Sequence, residues 1–196
     1  MKVDQFGILT SIDWNSNSWK DLPTDADIQH SNFGYVEQNN LTHTYLNFGH
    51  LDFPSDEKGN FYVLLPQFWS KTPQAKDVKV IIVKSQNWES KKNFIVGLYI
   101  LPKFERKSLP SFIEGAPNRE VNIKVLPENM HLLEHYIELN SKNEKLFLPK
   151  GKEVGKQGFN YLTKFNVLKI LDEMTFRNPQ DRRLSSIKFR VLKNLC

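Results

Sequence analysis

Residues 78–101 read VKVIIVKSQNWESKKNFIVGLYIL and carry the most ordered pattern in the chain. Val78, Val80, Ile81, Ile82 and Val83 form a β-branched run too short to cross a membrane and apolar enough for a buried strand. A second run, Phe94 to Leu101, follows a polar connection from Ser85 to Asn93. Two apolar strands joined in this way predict a β-hairpin whose loop is longer than the minimal two residues. Gly97, in mid-strand, predicts a close backbone approach or a bulge, as at the bend of a small barrel. The connection holds Trp88 among Ser85, Asn87, Lys91 and Lys92. An indole in a polar, lysine-bearing loop is harder to explain as core than one inside a strand. The hairpin is therefore read as the structural centre and as one edge of a site.

At 196 residues the chain is long enough for one sizeable core and short for two full domains. A hydrophobic content of 39% with 25% charged residues fits a globular protein and argues against wholesale disorder. No stretch reaches the ~18 apolar residues of a membrane span. The N-terminus, MKVDQFGILTS, lacks the charged-then-apolar form of a signal peptide. The only cysteine is Cys196, the last residue, which leaves no disulfide framework and no thiolate cluster. A cytoplasmic location is the expectation. Basic residues exceed acidic ones by 27 to 22, a mild bias towards an anionic partner. Aromatic residues, at 12%, say more, because they exceed what a core of this size needs.

Working outward, residues 6–12 read as a first strand, followed by a polar segment, 13–40, that still holds Trp14, Trp19, Phe33 and Tyr35. Thr24 and Asp27 have capping-box spacing and predict a short helix over 25–31. Phe61–Leu65 reads as a strand, 66–73 as a loop with Phe68 and Trp69, and 105–119 as a connection. Val121–Val125 is a further strand; Pro127 opens a short helix through His135 before strand returns at 136–139. Turn signals at Gly151, Gly155 and Gly158 make 145–162 strand-loop-strand. Helical spacing then runs from Thr163 to about residue 175. Asn178-Pro179 is read as the N-cap and first position of a last helix, with Leu184, Ile187, Val191 and Leu195 on one face and Arg182, Arg183, Lys188 and Lys193 on the other.

Catalytic motifs are thin. His131-Leu132-Leu133-Glu134-His135 matches a zinc-binding HxxEH, in which histidines at i and i+4 of a helix share a face and Glu134 would serve as general base. No convincing third ligand follows, although Glu153 and Glu173 are nominal choices. Asp56 with Asp77-Val78-Lys79 imitates a nuclease spacing, but the second acid precedes its strand. There is no phosphate-binding GxxxxGK[ST], no GxGxxG and no GxSxG. An enzyme is not expected, nor is a cofactor.

The aromatic set is the stronger signal. Trp14, Trp19, Phe33, Tyr35, Trp69 and Trp88 sit in polar segments, interleaved with Asn15, Ser85, Lys20, Lys71, Lys91 and Lys92. Flat rings, amide hydrogen-bonders and lysines are what a pocket for an extruded nucleobase requires. Stacking supplies ~1–3 kcal/mol per base, comparable with the few kcal/mol lost on leaving the duplex. One buried methyl adds only ~0.8 kcal/mol, so reading methylation also needs a penalty against the unmethylated base.

At this point the hairpin is similar to the strand-Ser-loop-strand core of the YTH and EVE domains of the PUA-like superfamily. The stretch IDWNSNSWKDLPTDADIQHSNFGYV, with LNFG, FIVGLYIL and GKQGFNYL, resembles more closely the EVE-like N-terminal domains of archaeal McrB-type restriction systems, over residues 8–175. The resemblance implies an α+β fold, a PUA-like twisted β-barrel with flanking helices. It implies a recognition domain over 1–175 and, at 176–196, a basic amphipathic helix leading towards a motor domain. The implied function is to bind double-stranded DNA carrying a modified, flipped-out base, methylated adenine or cytosine, and to target a restriction complex whose AAA+ motor and nuclease are separate. The implied base-binding residues are Trp14, Asn15, Trp19, Phe33, Tyr35, Trp69, Ser85 and Trp88, and the phosphate-binding residues Lys20, Lys71, Lys91 and Lys92. An RNA-binding PUA-like module is the first alternative, and a small zinc hydrolase using 131–135 the second.

Overall fold

The computed structural model describes residues 5–31, 36, 42–70, 78–112, 114, 118–152 and 158–193. Among them the strands are β1 (Gly7–Ile12), β2 (Phe61–Val63), β3 (Val80–Gln86), β4 (Asn93–Ile100), β5 (Lys103–Leu109), β6 (Arg119–Val125), β7 (Met130–Leu139) and β8 (Phe159–Leu162). The helices are α1 (Asp25–Gln29), α2 (Gln67–Ser70), α3 (Glu144–Phe147), α4 (Lys164–Arg177) and α5 (Arg182–Lys193).

The hairpin predicted from 78–101 is the middle of a five-stranded sheet, ordered β7-β4-β3-β1-β8. β1 lies parallel to β3, with Ile8 opposite Ile81, and the other pairs are antiparallel. A second, antiparallel sheet is ordered β2-β6-β5. Successive residues of the central strands enter different cores, because side chains alternate between sheet faces. Leu9, Val80, Ile82, Ile95 and Leu98 pack with Ile170 and Met174 of α4 and Leu184 and Ile187 of α5. Ile8, Ile81, Val83, Val96 and Tyr99 pack with Phe61, Val63, Ile123 and Val125 of the second sheet. The order is helices, five-stranded sheet, three-stranded sheet. Burial on both faces is why 80–83 and 95–100 are apolar without interruption.

The protein is thus α+β, but the two sheets are not closed into one barrel among the described residues. The chain leaves the first sheet after Ile100. Leu101 takes a left-handed φ of 52° and is followed by Pro102, which has no N–H to offer a ladder. β5 therefore starts in the second sheet. The connection expected over 105–119 is largely this strand; its side chains are mostly exposed and polar, so it shows no apolar alternation.

Gly97 sits at a bulge, where the β4–β7 register shifts between Ile95 and Gly97. A Cβ at Gly97 would lie 2.5 Å from the His131 carbonyl oxygen and 2.6 Å from the Phe48 ring. The expectations of a bulge and of a close approach both hold.

Local signals set the helix starts. Thr24 and Asp27 form the capping box of α1, and Thr163 with Asn166 that of α4. The helix expected from Pro127 to His135 is instead one 3-10 turn, Pro127–Asn129, and then β7. Pairing with β4, Leu98 opposite His131 and Ile95 opposite Ile137, overrides the helical preference of His-Leu-Leu-Glu-His. Residues 145–147, the start of the stretch expected as strand-loop-strand, belong to α3, and 67–70, expected as loop, form α2. The last helix begins at Arg182, not after Asn178-Pro179. Asp181 Oδ1 accepts from Leu184 N at 2.8 Å, and Asn178 is engaged elsewhere, exchanging hydrogen bonds of 2.8 and 3.1 Å with the His135 backbone. Leu184, Ile187 and Val191 of α5 join the same core as α4. Leu195 lies outside the described residues.

Candidate ligand cleft

The segment after β1 is held by two carboxylates. Asp27 accepts hydrogen bonds from Ser16 N and Oγ, Thr24 N and Oγ1, and Trp88 Nε1, all within 3.0 Å. Burial by itself would raise the Asp27 pKa, but the bonds from Ser16, Trp88 and Thr24 outweigh it and hold the carboxyl below its ordinary value. Asp13 is fully enclosed, accepts from Thr44 Oγ1 at 2.5 Å, and is pushed upward by burial.

These anchors place the aromatic residues. Trp19, 0% exposed, donates Nε1 to the Asp13 carbonyl at 2.9 Å and packs into the second core. As placed it offers no ring face to solvent. Asn15 is buried, with Nδ2 on Asp21 O and Oδ1 accepting from Asn17 N, so its amide edge is occupied by its own turn. Ser85 is buried and its hydroxyl donates to Ile12 O at 3.0 Å. Trp88 stacks on His30, with centroids 4.6 Å apart, while its Nε1 is held by Asp27. Phe33, Tyr35, Lys71 and the side chain of Trp69 lie outside the described residues. Lys91 and Lys92 are exposed, and Lys92 pairs with Glu138 at 2.9 Å.

Half-buried Trp14 is the exception. Its ring meets Trp19 at 5.8 Å, Phe94 at 6.1 Å and Tyr136 at 6.1 Å, the last edge-to-face. Tyr136 in turn borders an open cleft of about 520 Å³. Phe48, Met130 and Leu132 form its apolar side; Lys20, His131 and Arg183 and the carboxylates of Glu134 and Asp181 bring polar groups to it. Its volume is that of a small-ligand site, with polar and apolar residues mixed in the lining.

Arg183, assigned from sequence to the solvent face of the last helix, turns into this cleft. Its Nη2 donates to the Pro127 carbonyl and to His50 Nε2 at 3.1 Å. His50 must then carry its proton on Nδ1. Burial, and after it the Arg183 charge, lower the His50 pKa to about 4. Nε and Nη1 of Arg183 have no acceptor among the described residues. His131 Nε2 lies 2.6 Å from Asp181 Oδ2 but off the line of a well-directed hydrogen bond. Burial lowers the His131 pKa despite the opposing pull of Asp181.

Comparison with protein-family models, with curated proteins and with solved structures finds no match.

The HxxEH residues do not converge. His131, buried, and Glu134, exposed, both line the cleft from strand β7, while His135 is exposed and does not line it. Among the described residues no three His, Cys, Asp or Glu side chains stand close enough to hold a metal ion. Asp56 is consumed by a turn, accepting from Asn60 N at 2.7 Å, Lys58 N and Tyr62 Oη, and these bonds hold its pKa at about 2. Asp77 lies outside the described residues. Of the base- and phosphate-binding residues chosen from sequence, Lys20 lines the cleft and Trp14 reaches it through Tyr136. Phe48, in the LNFG stretch, Arg183, on the basic face of the last helix, His50 and Tyr136 were not chosen as binding residues, because only distant parts of the chain bring them together.

Proposed function

We propose that the chain is a nucleic-acid recognition module, of PUA-like EVE/YTH type, that binds DNA carrying a modified, flipped-out base and serves a modification-dependent restriction complex. The observation that carries this reading is the cleft, where Tyr136 and an apolar side stand beside unused guanidinium donors of Arg183 and the Lys20 ammonium. A planar heterocycle can stack on the tyrosine and bury a methyl against Met130 and Leu132, while the cations hold the flanking phosphates. Stacking at ~1–3 kcal/mol offsets the cost of extruding the base. The methyl contributes ~0.8 kcal/mol, so discrimination also needs a donor or acceptor left unpaired by the unmodified base, a role this reading gives to Glu134 and His131, which line the cleft. The base-reading set is therefore Tyr136 with Trp14 behind it, and the phosphate set Lys20 and Arg183. Motor and nuclease activities belong to partner proteins in this reading.

The test is fluorescence-polarisation binding to matched duplexes that are unmodified, N6-methyladenine-bearing or 5-methylcytosine-bearing, with single-stranded RNA alongside. A preference of tenfold or more, ~1.4 kcal/mol, for one modified duplex is expected. Preference for RNA would transfer the same cleft to the RNA-binding alternative, and equal binding to all probes would overturn base reading.

A further inference from the structure

The positive charge of this protein gathers in two parts of the sequence. Two stretches, 142–152 and 158–169, contain Lys142, Lys145, Lys150, Lys152, Lys164 and Lys169 and a single acid, Glu144, a surplus of five. The whole chain has 27 basic and 22 acidic residues, also a surplus of five. Residues 177–193 hold an equal surplus, Arg177, Arg182, Arg183, Lys188, Arg190 and Lys193 against Asp181, and the remainder is net acidic.

Three of the lysines in the first two stretches, with Glu144 beside them, line an open groove of about 900 Å³ between α3, the turn that follows it and the start of α4. Lys145, Lys150 and Lys152 line it, are exposed, and form no ion pair with a described residue. Gly151, at φ 78°, makes the turn that presents Lys150 and Lys152. Leu146 and Phe165, 53% and 59% exposed, supply apolar surface, and the Lys169 ammonium lies 5.5 Å from the Phe165 centroid. Asn166 Nδ2 donates to Leu146 O at 3.1 Å, which ties the two walls together. Thr163, Phe165 and Asn166 also line it, which brings the positive dipole end of α4 to the groove.

The chemistry selects the partner. The groove has lysines and no arginine, hence compact point charges without the forks that fit carboxylates two bonds at a time. Point charges beside an exposed aromatic ring suit a chain of phosphates with bases free to stack. We infer that this groove is a second nucleic-acid contact, one that holds the phosphate backbone without reading bases. The inference rests on the reading of the chain as a nucleic-acid-binding module. Tyr136 of the cleft and Ser141 of the groove are five residues apart, at most ~17 Å of extended chain, so one strand can reach both.

The test combines Lys145→Ala, Lys150→Ala and Lys152→Ala in the full chain. Binding to unmodified duplex, methylated duplex and single-stranded RNA is followed from about 50 to 200 mM salt. Each phosphate contact contributes ~0.9 to the slope of log K against log salt for duplex, so the duplex slope should fall by about 2–3. Affinity at the lowest salt should drop roughly tenfold or more for every probe. The ratio of modified to unmodified affinity should stay the same, as should the melting temperature. An unchanged slope with modified-base preference intact overturns the groove and leaves the cleft reading standing. A lost slope in a protein with no preference for any modification supports the groove and overturns base reading. No binding to any probe by the unaltered chain overturns both.

Discussion

Trp88 Nε1 donates to Asp27 Oδ1 at 3.0 Å and so fastens the tip of the β3–β4 hairpin to the capping carboxylate of α1. The residues are 61 apart in sequence. The same carboxylate also organises Ser16 and Thr24, so one side chain sets the path of the segment that carries Trp14 and Trp19.

Asp27→Ala should therefore destabilise the protein by about 2–4 kcal/mol, since hydrogen bonds to a charged group are worth ~1.5–3 kcal/mol each and several are lost together. Trp88→Phe removes one of them and keeps the stacking on His30, and about 1–2 kcal/mol is expected. Urea denaturation followed by tryptophan fluorescence checks both. A Trp88→Phe loss as large as that of Asp27→Ala would contradict the shared-carboxylate account.

Stability should depend on pH through His50. Its folded-state pKa, about 4, lies below the ordinary 6.5, so between these values the unfolded chain binds more protons than the folded one. The contribution is fully present above pH 6.5 and is lost as pH falls towards 4; for His50 it is on the order of 3 kcal/mol. His131 is also lowered and adds loss of the same sign. His50→Gln keeps an acceptor for Arg183 and should flatten the profile between pH 7 and 4.5. Identical profiles for the two proteins would remove His50 from this role.

Gly97→Ala should cost about 3 kcal/mol, because the new methyl meets a backbone oxygen on one side and the Phe48 ring on the other, and neither can retreat from a packed core. Thermal unfolding measures it. A loss below about 0.5 kcal/mol, the range of an ordinary surface substitution, would mean that the bulge is soft.

Tyr136→Ala and Trp19→Ala separate pocket from core. Trp19→Ala should lower stability by about 3–5 kcal/mol, as for other buried indoles. Tyr136→Ala should lower affinity for the preferred modified duplex at least tenfold, in keeping with ~1–3 kcal/mol of stacking. Its conservative partner, Tyr136→Phe, should retain most of the affinity. Equal affinity of Tyr136→Ala and the unaltered protein would place the bound base elsewhere.

What could be read without coordinates was whatever a few neighbouring residues decide. The hairpin of 78–101, the capping box at Thr24, the helical spacing after Thr163 and the close approach at Gly97 depend on spacing, side-chain size and local hydrogen bonds. The α+β mixture follows from the same signals. The tertiary structure decided which face of each aromatic residue remained available. Trp14 and Trp19 have the same polar neighbourhood in sequence, yet one is sealed in the core and the other is half-buried beside Tyr136. It also turned His131–His135 into strand by offering β4 as a partner, and brought Arg183 back onto His50 across 133 residues. Burial and long-range pairing are properties of the packed chain, so the cleft became visible only when Tyr136, Phe48, His50 and Arg183 stood together.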